Sequence, residues 1–159
     1  MTQCFLDSAE ATEALGVRLA RGLPARAVVY LHGDLGAGKS TLARALLQAL
    51  GVTGAIRSPT YTLVEPYALA SGELALHLDL YRIGHPGELE FLGLDPQEAR
   101  LWLVEWPERG QGALPPADLD VELAVEGEGR RCQLRPQTDC GQRWLEGLGA
   151  GINSPDLRE

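Results

Sequence analysis

The stretch Ala27-Val28-Val29-Tyr30-Leu31 leads, one residue on, into Gly33-Asp34-Leu35-Gly36-Ala37-Gly38-Lys39-Ser40, and Thr41-Leu42-Ala43-Arg44-Ala45-Leu46-Leu47-Gln48-Ala49-Leu50 follows at once. The first block is short, apolar and rich in β-formers, the composition of a strand buried on both faces. The last block is built from strong helix formers, and Gly51 behind it suits a helix C-cap. Between them, Gly33, Gly38, Lys39 and Ser40 match the spacing Gly-x-x-x-x-Gly-Lys-[Ser/Thr] of a phosphate-binding loop. Each residue type has a physical reason. Gly33, Gly36 and Gly38 reach backbone angles that side chains resist, so consecutive N–H groups can close around phosphate oxygens. Lys39 brings a compact positive charge to the outer phosphates, and Ser40 offers a hydroxyl to magnesium. The helix behind the loop adds its N-terminal dipole. Lys39 is also the only lysine in the chain; the thirteen other basic residues are arginines. A sequence so biased towards arginine keeps a lysine where a point charge on a flexible stem is needed.

A triphosphate site needs carboxylates at the ends of neighbouring strands, to hold magnesium or its waters. Two candidates stand out. Glu105 ends the apolar run Leu101-Trp102-Leu103-Val104, and Asp79 lies near the end of a segment alternating with period two. In that segment Leu74, Leu76, Leu78 and Leu80 face one way, and His77, Asp79 and Tyr81 the other. Glu105 is assigned to the metal. Asp79 is assigned to metal-bound water or to the attacking water. Thr60, in the polar loop Arg57-Ser58-Pro59-Thr60, holds the place where phosphate-loop switch proteins sense the last phosphate. Trp106, next to Glu105, is read as a core residue before a stacking one.

The remaining chain reads as alternating strands and helices. Asp7 is expected to cap a helix, with Glu10 completing a capping box. Residues 61–67 read as a strand, the segment after Pro86 as a helix, residues 121–125 and 131–134 as a hairpin around Gly127-Glu128-Gly129, and residues 142–148 as a closing helix. The predicted fold is therefore α/β: a layered phosphate-loop NTPase-like domain over residues 1–148. Its sheet is mostly parallel, with helices on both faces and a C-terminal antiparallel hairpin. Residues 149–159 read as a frayed tail.

The formal net charge is −8, from 14 basic and 22 acidic residues. With its arginines scattered, such a chain is poorly suited to gripping DNA or RNA alone. No apolar run approaches the roughly 20 residues of a membrane helix, and a cytoplasmic protein without membrane contacts is expected. Cys4, Cys132 and Cys140 form no Cys-x-x-Cys pair and are expected to be reduced thiols, structural or incidental.

Together these motifs resemble the TsaE family, small bacterial phosphate-loop ATPases required for threonylcarbamoyladenosine in tRNA. The matching segments are the phosphate loop through Thr41; Ser58-Pro59-Thr60-Tyr61-Thr62-Leu63-Val64-Glu65-Pro66-Tyr67; His77-Leu78-Asp79-Leu80-Tyr81-Arg82; Glu88-Leu89-Glu90-Phe91-Leu92-Gly93; and Leu103-Val104-Glu105-Trp106-Pro107. The resemblance implies ATP and Mg2+ as ligands. It implies Gly36, Ala37, Gly38, Lys39, Ser40 and Thr41 as the nucleotide loop, and Ser40 and Glu105 as magnesium ligands. Thr60, Asp79 and Trp106 are implied in hydrolysis or its coupling, and Arg130 as a nucleotide contact. Ser40 stands where the family usually has threonine; the hydroxyl survives. The resemblance also implies a partner, a TsaD–TsaB complex whose repeated turnover needs the ATP cycle, with tRNA met only indirectly and hydrolysis slow without the partner. Two other readings share the loop: a small-molecule or nucleotide kinase, and a nucleotide-binding scaffold without turnover. A GTPase reading fails because its Asn-Lys-x-Asp motif requires a second lysine.

Overall fold

In the computed structural model, residues 1–57, 59 and 63–148 are described. The strand before the phosphate loop, β2 (Ala27–His32), lies at the centre of one seven-stranded sheet. The other strands are β1 (Thr2–Leu6), β3 (Val64–Ala68), β4 (Leu74–Asp79), β5 (Ala99–Glu105), β6 (Leu119–Glu126) and β7 (Gly129–Pro136), and the spatial order is β1-β7-β6-β2-β5-β4-β3. The four central strands β6, β2, β5 and β4 run parallel. Antiparallel partners extend both sides: β3 on β4, β7 on β6, and β1 on β7. The expected α/β architecture with a parallel core and a C-terminal hairpin is what forms.

Alternation along the central strands divides the core. Ala27, Val29 and Leu31 of β2, with Leu101 and Leu103 of β5, face a large apolar cluster beneath α1 (Ala9–Arg21), α2 (Lys39–Ala49) and α4 (Asp139–Leu148). Trp102 and Val104 face the opposite side, where Leu76, Leu78 and Leu80 pack under α3 (Gly87–Glu90) and a 3-10 turn at Pro107–Gly110. Both faces carry helices, but the second layer is thin.

Local details depart from the sequence reading in four places. The cap of α1 is Ser8, not Asp7: Ser8 is extended, and its Oγ accepts from the Ala11 amide at 3.1 Å. The helix after Pro86 is a single turn, hemmed by Gly87 and a left-handed Gly93. β3 begins only at Val64, after a left-handed Leu63. Strand β1, unanticipated, pairs with β7 along the sheet edge. The expected tail, residues 149–159, lies outside the described residues.

Helices α1 and α2 meet at Gly16. A Cβ there would lie 2.9 Å from Ala45 Cβ and 3.0 Å from both the Leu42 carbonyl oxygen and the Leu46 amide nitrogen. Backbone cannot yield as a side-chain tip can, so Gly16→Val should destabilise by about 2 kcal/mol or more. Gly147, in α4 with open space around it, should instead accept alanine with a gain of roughly 0.5–1 kcal/mol. Urea unfolding of both variants, read at constant m-value, checks the pair of signs.

Candidate functional site

Three constraints build the site. The first is the loop after β2. Gly33, Gly36 and Gly38 have φ of 145°, 82° and 108°, all in the region that favours glycine. A Cβ on Gly33 would also strike the Leu123 carbonyl oxygen at 2.5 Å. These turns close the loop back on itself, with the Ala37 amide donating to the Asp34 carbonyl at 3.1 Å, and start α2 at Lys39, with Gly38 as its left-handed N-cap.

The second constraint is strand register. Leu31 of β2 is paired with Glu105 of β5, and Glu105 with Asp79 of β4. The phosphate loop and both carboxylates therefore come to one edge of the sheet, at the carboxyl ends of parallel strands. Alternation places His77, Asp79 and Glu105 on the face that α2 covers. Glu105 is 3% exposed and Asp79 7%. His77 Nε2 lies 2.7 Å from Glu105 Oε2, which fixes that carboxylate's rotamer. Asp79 Oδ1 accepts from the Tyr81 amide at 3.0 Å.

The third constraint is a buried cation. Lys39 is 5% exposed. Its Nζ donates to the Gly33 carbonyl at 2.5 Å and sits 4.0 Å from the Trp106 ring centroid. Burial pushes its pKa below the usual lysine value, while the nearby carboxylates of Glu105, Asp79, Glu108 and Asp34 oppose that shift. Trp106 itself is left-handed, at φ 56° and ψ 51°, a conformation that costs a non-glycine residue on the order of 1–3 kcal/mol and clusters at functional sites. Its ring edges the second core cluster and also packs on Lys39 and, at 5.0 Å between centroids, on Tyr81. Of the two readings of Trp106, core and site, the ring serves both: it packs at the edge of the second cluster, and the strained turn after Glu105 puts one face of it in the cleft.

Gly36, Gly38, Lys39, Ser40, Thr41, Asp79, Glu105, Trp106 and Arg130 line one cleft of about 260 Å³. Gly33 and Ala37 stand behind it, holding Lys39 and Arg130 through their carbonyls. Thr60 lies outside the described residues, as do Ser58, Tyr61 and Thr62 of its loop. Arg130 reaches across from β7: Nε donates to the Ala37 carbonyl at 3.0 Å and a terminal nitrogen to Gly36 at 3.1 Å. It braces the loop from the far strand.

Comparison with known proteins identifies the family. Residues 6–133 match the family model of the threonylcarbamoyl adenosine biosynthesis protein TsaE. The chain belongs to the TsaE family. The tRNA threonylcarbamoyladenosine biosynthesis protein TsaE of Haemophilus influenzae is 48% identical over 117 residues, spanning 72% of this chain and 73% of its own. The TsaE of Aquifex aeolicus is 38% identical over 133 residues, spanning 82% and 92%. The crystal structure of Bacillus subtilis YdiB shares the fold, with a TM-score of 0.74, 24% identity and 96% of each chain covered. TsaE proteins are thus named for tRNA threonylcarbamoyladenosine biosynthesis.

Sequence reasoning missed three residues of this TsaE site: His77 as the partner of Glu105, and Tyr81 and Arg109 beyond Trp106. Arg109 donates to the Tyr81 carbonyl at 2.7 Å, and its guanidinium carbon lies 5.1 Å from the Tyr81 ring centroid. The period-two face shared by His77, Asp79 and Tyr81 was the available signal for the first two. Arg109 lies past a turn and left none.

The brace from β7 makes a prediction. Arg130→Leu frees two loop carbonyls from charge-assisted hydrogen bonds, each worth about 1.5–3 kcal/mol when intact. Amide exchange at Gly36 and Gly38 should speed up, with the central strands unchanged. Affinity for ATP, the ligand that the loop motif leads one to expect, should fall roughly tenfold or more, the equivalent of about 1.4 kcal/mol.

Proposed function

We propose that this TsaE-family protein binds ATP with magnesium, hydrolyses it slowly alone, and uses the cycle to support repeated tRNA threonylcarbamoylation by a TsaD–TsaB complex. The observation that carries the nucleotide part is the convergence of the left-handed glycine loop, the buried Lys39 ammonium and the paired carboxylates at one sheet edge. Family membership supports the tRNA part.

The residues suit the proposed ligands. A buried ammonium beside loop amides and a helix N-terminus favours phosphate oxygens. The metal donors are the Ser40 hydroxyl and Glu105, with Asp79 alongside; magnesium takes one or two carboxylates and fills its shell with phosphate and water. When bound, magnesium would neutralise charge on the outer phosphates. Glu105, oriented by His77, would hold the metal. Asp79, whose carboxylate is steadied by the Tyr81 amide, would orient the attacking water. Lys39 would stabilise charge as it builds on the transferred phosphoryl group. An adjoining open cavity of about 110 Å³ between the start of α1 and the β6–β7 hairpin shares Gly38, Thr41 and Arg130 with the cleft and would take part of the nucleoside.

The acidic charge supports an indirect relation to tRNA, because counterion release gives a net-negative surface little affinity for a polyanion. Thr60 is proposed as the phosphate sensor whose loop contacts the partner in the ATP state.

Two substitutions separate the carboxylate roles. Glu105→Gln should weaken magnesium-dependent ATP binding. Asp79→Asn should spare binding and remove most hydrolysis. The reverse pattern in calorimetry and phosphate release would exchange the two assignments. The functional reading is tested by reconstituting threonylcarbamoylation with TsaD, TsaB and tRNA over many turnovers. Product should stop near one round without this chain and continue with it. Equal yield in its absence would refute the role, whatever the ATP site does. Phosphoryl transfer to a small acceptor would favour the kinase reading.

A further inference from the structure

Strands β1 and β7 form the sheet edge furthest from the metal-side carboxylates, and their register sets Cys4 directly opposite Cys132. Directly opposed residues on antiparallel strands have Cα atoms about 4.5 or 5.5 Å apart, depending on the hydrogen-bonding frame. Both values fall inside the roughly 4.4–6.8 Å that a disulfide spans. Opposed residues also project to the same face. Cys132 is fully buried in the cluster beneath α1, and Cys4 is half-buried against the same cluster. The two sulfurs therefore share one pocket, with Cys4 on the solvent side. The third thiol, Cys140, lies elsewhere, with its Sγ 3.7 Å from the Arg26 carbonyl. Nothing in the phosphate chemistry uses any of them.

We propose that Cys4 and Cys132 are a hydroperoxide-sensitive thiol pair that closes to a cross-strand disulfide, stapling β1 to β7. Cys4 is the attacking sulfur. The Cys132 thiol, as a hydrogen-bond donor, favours the Cys4 thiolate and holds the Cys4 pKa below the usual thiol value against the effect of burial. The same contact, together with burial, pushes Cys132 up. A low-pKa, accessible cysteine beside a resolving one is the arrangement that oxidises reversibly. In the first step the Cys4 thiolate attacks a peroxide oxygen; the O–O bond breaks, Cys4 becomes a sulfenic acid and hydroxide leaves. In the second, the Cys132 sulfur attacks the Cys4 sulfur, the S–S bond forms, and the sulfenic oxygen leaves as water with the Cys132 proton. Sulfur loses two electrons in all, and the peroxide gains them.

The staple falls next to the nucleotide cleft. On β7, Arg130 precedes Cys132 by two positions and is paired with Leu6 of β1. The same Arg130 guanidinium braces the phosphate loop. Closing the disulfide links segments at opposite ends of the chain and fixes the strand pair that presents Arg130.

The test treats the folded full chain with hydrogen peroxide, then alkylates free thiols and maps peptides by mass spectrometry. The expected product has lost two hydrogen masses, links Cys4 to Cys132, leaves Cys140 alkylated and reverts with dithiothreitol. Its Tm should rise by roughly 5–10 °C over the reduced protein, as a long closed loop implies. Cys132→Ala should stop at a Cys4 sulfenic acid that dimedone captures, and Cys4→Ser should show neither product. A link from Cys4 to Cys140, a link between two chains, irreversible over-oxidation of Cys4 with Cys132 still free, or an unchanged Tm in the linked protein would overturn the proposal.

Discussion

Lys39 carries a positive charge in a position almost closed to water, and most of the site is arranged around that cation. A buried ammonium is costly unless paired and hydrogen-bonded. Its fixed protein partners are the Gly33 carbonyl and the face of Trp106. Glu105 and Asp79 supply the balancing field. Apart from Gly33, in the same loop, none of these is local in sequence. Gly33 is placed by the end of β2, the two carboxylates by the register of β5 and β4, and Trp106 by a strained turn that only a crowded neighbourhood would hold. The fold is thus what makes a charged lysine tolerable at this depth, and the remaining capacity of that ammonium points towards an anionic ligand.

The same geometry divides labour across the sheet. On one side of β2, the parallel strands β5 and β4 deliver carboxylates, with His77 fixing the rotamer of Glu105. On the other side, β6 and the antiparallel β7 deliver a cation, Arg130, to the outside of the phosphate loop. Carboxylates and guanidinium therefore approach the loop from opposite flanks. A parallel core with antiparallel edges allows this, because the tight hairpin after β6 starts β7, with Arg130, at the loop's own edge of the sheet, while β4 and β5 need crossovers.

Much of this was legible in the sequence, for identifiable reasons. The phosphate loop could be read because its glycines, lysine and hydroxyl are each demanded by backbone or charge, and β2 and α2 flank it with unmixed propensities. Glu105 and Asp79 could be read because strand periodicity fixes which side chains reach the sheet edge. What escaped depends on tertiary contact. β1 is an edge strand whose pairing with β7 joins opposite ends of the chain, and its five residues hold no turn signal. Ser8 displaced Asp7 as a cap by one residue, within the usual uncertainty of helix ends. The double role of Trp106 follows from a left-handed backbone before proline that composition disfavours. The single turn of α3 ended early because glycines on both sides weaken a helix that buries only Leu89.

The central claim is that a nucleoside triphosphate completes the Lys39 ammonium. The most direct measurement is calorimetric titration of ATP with magnesium into the intact chain and into Lys39→Ala. Loss of a charge-assisted contact worth about 1.5–3 kcal/mol should weaken binding by roughly 10- to 150-fold, while the unfolding transition of the variant stays cooperative. Equal ATP affinity in a folded Lys39→Ala protein would contradict the account at its centre.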